Sequence, residues 1–393
     1  MPAPGTGVSG GHVRPSMVGA ALRVLVCTIV HHPQDARILH RQIRAMLDAG
    51  YTVTYAAPFT AYATEPWPEV DAIDLPRAVG RTRSEALKAA RRLLRTQGPA
   101  HDVVILHDPE LLLVLPGITL PGAVVWDVHE DTAAALVAKR WLPGLLRPLA
   151  RAGVRMVEER AERTLRLILA EDGYATRFRQ VHPVIPNTTY VPEEVNPPGD
   201  ERVVYVGHLA SARGVEVMVE TARLLAGSGL TIDVMGHGDS RAKEMLRQAQ
   251  SAGWLTWHGF VSNDKAMTLL DGALAGFSLL KDLPNYRHSM PTKVLEYMAH
   301  GIPVISTPLP AAVSLVQIHK CGIVVPFDDP ASTAAAVLEL RADAERRVEM
   351  GTRGHQAALM GYHWPDSARE FLNRIETWAR DAQPQHCITL GTT

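Results

Sequence analysis

Short apolar runs alternate with longer amphipathic stretches along most of the chain, the pattern of parallel strands covered by helices. In the first half, Arg23 to Val30 reads as a buried strand. Ile38 to Leu47, with Ile43, Met46 and Leu47 at helical spacing, reads as a helix that stops at Gly50. Tyr51 to Ala57, Val103 to Leu106, Val124 to Trp126 and Leu165 to Ala170 complete a first set of strands. A second set follows: Val203 to Val206, Thr231 to Met235, Ala275 to Leu280, Val304 to Ser306 and Ile323 to Val325. Between the sets, Pro183, Pro186, Pro192, Pro197 and Pro198 mark a linker. The expected division is a loose tail at 1–20, a first domain at 21–185, a linker at 186–200 and a second domain at 201–362. A final helix at 363–380 carries Phe371, Leu372, Ile375 and Trp378 as its apolar stripe, and 381–393 is expected to be a second loose tail. That helix is expected to pack back on the first domain.

The bulk properties narrow the class. A chain of 393 residues, 46% hydrophobic and 21% charged, fits two globular domains. A formal net charge of -1 offers no electrostatic case for a nucleic-acid partner. Cys27, Cys321 and Cys387 are far apart, so neither a zinc site nor a disulfide framework is suggested, and a reducing cytoplasm is the expected location. The start of the chain lacks the apolar core of a signal peptide, and no apolar run is long enough to span a bilayer. The Arg- and Leu-rich stretch from Lys139 to Arg166 could meet a membrane surface and so a lipid-linked acceptor in place of a small-molecule one. Glu158, Glu159 and Glu162 dilute its charge, so packing on the sheet is the favoured reading.

Candidate chemistry collects at strand ends, where parallel sheets bind ligands. Two of the first domain's strands run into His107-Asp108-Pro109-Glu110 and Asp127-Val128-His129-Glu130-Asp131. In the second domain, Tyr286 to Thr307 is the most informative segment. Pro291 falls near the first turn of a helix that Gly301 ends. Backbone N–H groups near Met290, Thr292 and Lys293 then form an anion site, Lys293 adds charge, and Glu296 lies one turn further along. Gly207, His208, Arg213 and Gly214 follow another strand, and Met235-Gly236-His237-Gly238-Asp239 a third. Gly207 and Gly236 permit close backbone approach, and Arg213 can grip a phosphate. Each also has a structural reading: a capping Asp108, a first-turn Glu110, a surface Lys293–Glu296 pair.

These segments together resemble the retaining family-four glycosyltransferases, whose GT-B fold sets two Rossmann-like α/β domains across a cleft. The resemblance runs from Arg23 to about Arg380. It rests on His32 to Ile38, Gly50-Tyr51, His107 to Leu112, Asp127 to Glu130, Pro186-Asn187, Gly207 to Gly214 and Pro291 to Thr307. It implies that Glu296 holds the ribose of a nucleotide, that Arg213 binds the donor diphosphate, and that Thr292 and Lys293 line the phosphate loop. His129 would stand beside the donor sugar as the catalytic residue. Asp35, Arg37, His107 and Asp108 are acceptor-side candidates. Two positions depart from the pattern: His288 stands where relatives often carry a second glutamate, and His208 where they often carry arginine. The first domain also lacks the glycine-rich turn that many relatives have after the first strand.

The expected activity is retaining, metal-independent transfer of a hexose or N-acetylhexosamine. The donor is a nucleotide-sugar, with UDP the favoured nucleotide, and the acceptor is a hydroxyl on a surface-polysaccharide intermediate or a natural product such as an aminocyclitol. No cofactor is expected, since the nucleotide-sugar is a substrate, and no Asp-x-Asp pair is present to hold a metal. The alternatives are a GT-B-like sugar-nucleotide epimerase and a non-catalytic nucleotide-sugar-binding protein. A dinucleotide-dependent oxidoreductase is disfavoured because Cys27 to Pro33 contains no glycine.

Overall fold

The structure is a computed structural model that describes residues 21–129, 147–284, 286–287 and 289–382. Of the two expected tails, residues 1–20 and 383–393 lie outside the described residues, as do Glu130 and Asp131, the apolar residues Trp141, Leu142, Leu145 and Leu146, and His288.

Two parallel sheets of six strands organise the chain. The first contains β1 (Arg23–Cys27), β2 (Thr52–Ala57), β3 (Asp71–Asp74), β4 (Val103–Leu106), β5 (Ala123–Val128) and β6 (Arg166–Leu169), in the order β3-β2-β1-β4-β5-β6. The second contains β7 (Arg202–Val206), β8 (Thr231–Met235), β9 (Thr256–Trp257), β10 (Ala275–Ser278), β11 (Val304–Ser306) and β12 (Gly322–Val324), in the order β12-β11-β10-β7-β8-β9. Read from each sheet's first strand, the two orders are the same doubly wound topology. Its order reverses beside β1 and β7, which places a ligand crevice at the carboxyl ends of β1 and β4, and of β7 and β10.

The apolar runs follow from this layering. Side chains alternate faces along a strand, and a parallel sheet covered on both sides needs both faces apolar. Leu25 and Cys27 point into one core of the first domain, and Val24 and Val26 into the other. In the second sheet Val203 and Tyr205 face one core and Val204 the opposite one.

The final helix, Trp364–Asp381, leaves the second domain and packs on the first, as the sequence led us to expect. Trp364, Phe371 and Ile375 are fully buried with Val24, Val26 and Tyr55. Tyr51 Oη donates to Glu376 at 2.7 Å. A backbone exchange between Thr189 and residues 362 and 364 joins the linker to the start of this helix.

Three elements differ from the pattern reading. β3 is an exposed, acidic edge strand and β9 has only two residues, so neither carries the apolar run that marks a strand. The helix expected from Ile38 is π-helical over Ala36–Ile43 and becomes α-helical over Arg44–Asp48. Asp35 caps its start by accepting from the N–H groups of Arg37 and Ile38 at 2.9 and 3.1 Å. π-helical turns are uncommon and concentrate at functional sites. No described helix is long and apolar enough to cross a membrane.

Candidate active site

The first domain's crevice is a network of buried acids and histidines. Asp108, at the end of β4, reaches back to the turn after β1. It accepts from Thr28 Oγ1 at 3.0 Å, Val30 N at 3.2 Å, His31 Nδ1 at 2.6 Å and the Ile29 N–H. Burial alone would raise its pKa, but the His31 contact and the Ile29 and Thr28 bonds outweigh it and hold the carboxylate ionised below its usual range. Asp108 therefore shapes the turn that glycines shape in many nucleotide-binding folds.

Asp127, on β5, is the second buried anion. Arg37 grips it bidentately, Nε to Oδ2 and Nη2 to Oδ1, both at 2.7 Å, and Gln42 adds a bond at 2.9 Å. Burial opposes ionisation, yet Arg37 and then His107 hold Asp127 well below the carboxylate range. Arg37 also donates to the Ile185 carbonyl and to Asn187 Oδ1, so it ties the crevice to the linker. His107 Nδ1 lies 3.2 Å from Asp127 Oδ2, and both its ring nitrogens are buried and without a hydrogen-bond partner among the described residues.

His129 sits at the mouth of this network. Its Nδ1 is 3.0 Å from the Asp127 carbonyl oxygen, and its Nε2 is 3.0 Å from His31 Nε2. Burial first, then the neighbouring His31, push its pKa down to about 4 against the pull of Asp127. At neutral pH the imidazole is therefore uncharged and offers hydrogen bonds rather than a charge. His107, Asp127 and His129 are, among the described residues, a group whose ligand atoms lie within 4.8 Å of one another. A cation there would sit beside the Arg37 guanidinium that already neutralises Asp127.

The second domain presents backbone and cations. Gly207 ends β7 at φ +130, and a Cβ there would lie 3.6 Å from Lys293 Nζ. Lys293, in the first turn of the helix Thr292–Ala299, is buried over the Tyr205 ring and donates to its hydroxyl at 3.3 Å. It makes no ion pair within 4 Å among the described residues. Burial, then the nearby Arg213, push its pKa down to about 7, with Glu296 opposing. Arg213 ends the short turn Ser211–Arg213, and the His208 carbonyl accepts from Tyr205 Oη. Gly236 lies against the Gly207 carbonyl, so the two strand-end turns touch. Met290, Pro291 and Thr292 lead into the helix carrying Lys293.

Glu296 is buried and, among the described residues, makes no ion pair with Lys293, so the surface pair within this helix is not formed. Arg41 of the first domain reaches it across the cleft, Nη2 to Oε1 at 3.6 Å, and both groups are buried. Burial raises the Glu296 carboxyl, with Arg41 and Lys293 opposing. Other bridges cross the same cleft. His32 stacks on Phe260, which stacks on His237, with ring centroids 5.1 and 5.0 Å apart. Glu171, after β6, binds Ser289 Oγ at 3.3 Å and the Met290 N–H at 3.1 Å.

The structure thus gathers Asp35, Arg37, His107, Asp108 and His129 on the first domain. Gly207, His208, Arg213, Gly236, Met290, Pro291, Thr292, Lys293 and Glu296 gather on the second. Sequence reasoning missed Thr28, His31, Arg41, Gln42, Glu171 and Tyr205. His31 and Gln42 had a usable signal, since both lie close to the strand-end and Asp35 positions already singled out.

Two six-stranded parallel sheets of the same order, bridged across a cleft and closed by a returning helix, define the GT-B fold. Residues 200–343 match the family described as glycosyl transferases group 1. Over 199 residues the chain is 26% identical to the protein of Salmonella typhimurium named as colanic acid biosynthesis glycosyltransferase WcaL, an alignment covering 48% of each. The chain thus spans about half the length of that relative. Among solved structures, sucrose-phosphate synthase from Thermosynechococcus elongatus superposes with a TM-score of 0.68 at 16% identity, covering 91% of this chain and 98% of that one. HepE from Anabaena, solved with UDP and glucose, gives 0.66 at 11% identity, covering 91% and 100%. The fold of the chain is therefore GT-B, and residues 200–343 of its second domain are similar to the group 1 glycosyl transferases.

Proposed function

We propose that the protein is a retaining glycosyltransferase that moves a hexose or N-acetylhexosamine from a UDP-sugar to a hydroxyl acceptor without a metal ion. The observation that carries this reading is the buried Lys293 ammonium, beside Gly207 and at a helix start, with no carboxylate in ion-pair contact among the described residues. A buried cation of that kind calls for an anionic ligand, and a diphosphate supplies two charged groups for Lys293 and Arg213. Glu296, one turn further along, fits the ribose hydroxyls. In the reaction the sugar C1–phosphate bond breaks and a C1–oxygen bond to the acceptor forms on the same face. The acceptor proton passes to the departing phosphate oxygen. The protein then needs no nucleophile; its task is orientation and charge stabilisation. His129, neutral at working pH, is a first-domain group that contacts the sugar. The bidentate Arg37 clamp on Asp127 supports a metal-free site. The name of the WcaL relative favours a surface-polysaccharide intermediate as acceptor.

The test has two stages. UDP should raise the melting temperature, and uridine should do so far less. Transfer should then proceed in EDTA, with the donor's anomeric configuration retained by NMR of the product. Inversion, or activity that a chelator abolishes and magnesium restores, would overturn the reading.

A further inference from the structure

Among the described residues, Asp35, Asp108, Asp127 and Glu296 lie at the two crevices, and each is engaged in a way that leaves it little to offer a ligand. Asp35 caps the π-helix, Asp108 holds the turn after β1, and Asp127 is clamped by Arg37 and Gln42. Glu296 faces Arg41. Asp264 is largely exposed and 3.7 Å from His40.

Glu171 is different. It follows β6 on the first domain, three residues before Tyr174, whose hydroxyl donates to the His129 carbonyl at 3.3 Å. One of its oxygens crosses the cleft and accepts from Ser289 Oγ and the Met290 N–H, immediately before the helix that carries Lys293 and Glu296. Its other oxygen, Oε2, is buried and has no hydrogen-bond partner among the described residues. An unbonded buried carboxylate oxygen is costly and marks a group held in place for a partner. Neighbouring cations do not explain its retention: burial pushes the carboxyl up to about 7, against the Met290 and Ser289 bonds and a weaker pull from Arg37.

We propose that Glu171 is a donor-sugar contact supplied by the first domain, with Oε2 accepting a hydrogen bond from a sugar hydroxyl while Oε1 stays on the Ser289–Met290 turn. A polyhydroxylated ring is the ligand chemistry that suits it: a hydroxyl brings the missing proton without bringing another negative charge beside the carboxylate. A phosphate group would repel it. Because the same side chain touches the loop of the second domain, sugar binding and closure of the cleft are linked through one residue. This rests on the nucleotide-sugar reading above and adds the residue that distinguishes the sugar from the nucleotide.

The experiment compares UDP with UDP-glucose and UDP-N-acetylglucosamine by calorimetry in the wild type, Glu171→Ala and Glu171→Gln. In the wild type at least one UDP-sugar should bind more tightly than UDP. Glu171→Ala should leave the UDP dissociation constant within about twofold and weaken that UDP-sugar about tenfold, the loss of one charge-assisted bond. Glu171→Gln keeps the shape and an acceptor oxygen, so it should fall between the two and serves as the test if the alanine variant folds poorly. Equal weakening of UDP and UDP-sugar would make Glu171 a mere tie between domains and overturn the proposal. Tighter UDP binding by Glu171→Ala would also overturn it, because the carboxylate would then be competing with phosphate. Failure of the wild type to bind UDP at all would instead sink the nucleotide-sugar reading.

Discussion

Lys293 shows how burial turns an ordinary side chain into a conditional one. In the unfolded chain its ammonium titrates near 10.5, and in the folded protein burial and Arg213 bring that down to about 7. Between those values the unfolded state holds a proton that the native state has released, so native stability from this group rises with pH from about 7 to 10.5. Ligand binding runs the other way. A diphosphate favours the ammonium, so UDP affinity should weaken as pH climbs from 7 to 9, by at most about tenfold per pH unit for one coupled proton. UDP phosphates are already ionised in that range. Lys293→Met should bind UDP more weakly and show a flatter pH dependence in calorimetry. The same slope in both proteins would mean that another group is the linked one.

The strand-to-helix turn after β7 was readable as a glycine-bearing ligand loop, but not why each glycine is there. Gly214 adopts φ +79, and a Cβ on it would run into the Leu279 carbonyl just beyond β10. Gly253 has a similar φ of +73 but open space around it. Both positions strain an alanine, typically by about 1–2 kcal/mol, and only Gly214 adds a collision with backbone. Gly214→Ala should therefore lower the melting temperature clearly more than Gly253→Ala. Matching losses would mean that the β7 and β10 ends can move apart freely. The first domain solves the equivalent problem without glycine: the Asp108 side chain bonds the turn from β4. Nothing in the run Cys27 to Pro33 announces that device, because its partner lies about eighty residues away.

At the scale of the whole molecule, the helix Trp364–Asp381 makes the domains interdependent. Its stripe completes the first domain's core although the chain enters it from the second. Phe371 is fully buried there. Phe371→Ala should cost about 3–5 kcal/mol, the usual range for an aromatic-to-alanine change in a core. The loss should fall on the first domain. Scanning calorimetry should then show a lower-melting transition separated from one that UDP still raises. A single transition that shifts as a unit, with UDP raising all of it, would show that the domains melt together regardless of this helix.

What the sequence determined by itself was local: the alternation of strand and helix, two series split by a proline-rich linker, the apolar stripe of the last helix and the polar clusters at strand ends. These are legible because the periods of 2 and 3.6 residues, glycine and proline are properties of short segments. Lys293 and Glu296 could be placed one turn apart for the same reason. Edge strands β3 and β9 escaped, since they have one neighbour and little to bury. The tertiary structure alone decided the pairings. The doubly wound order sets β1 beside β4, which brings Thr28 and His31 to Asp108. β5 lies beyond β4, and there Arg37 meets Asp127. Facing the domains across the cleft brings Arg41 to Glu296 and Glu171 to Met290, 119 residues apart. Such contacts depend on how distant segments stack, and burial then sets their charges. That is why burial and neighbours push Lys293 down to about 7, Glu171 up to about 7 and His129 down to about 4 in the folded protein, shifts that no short segment announces.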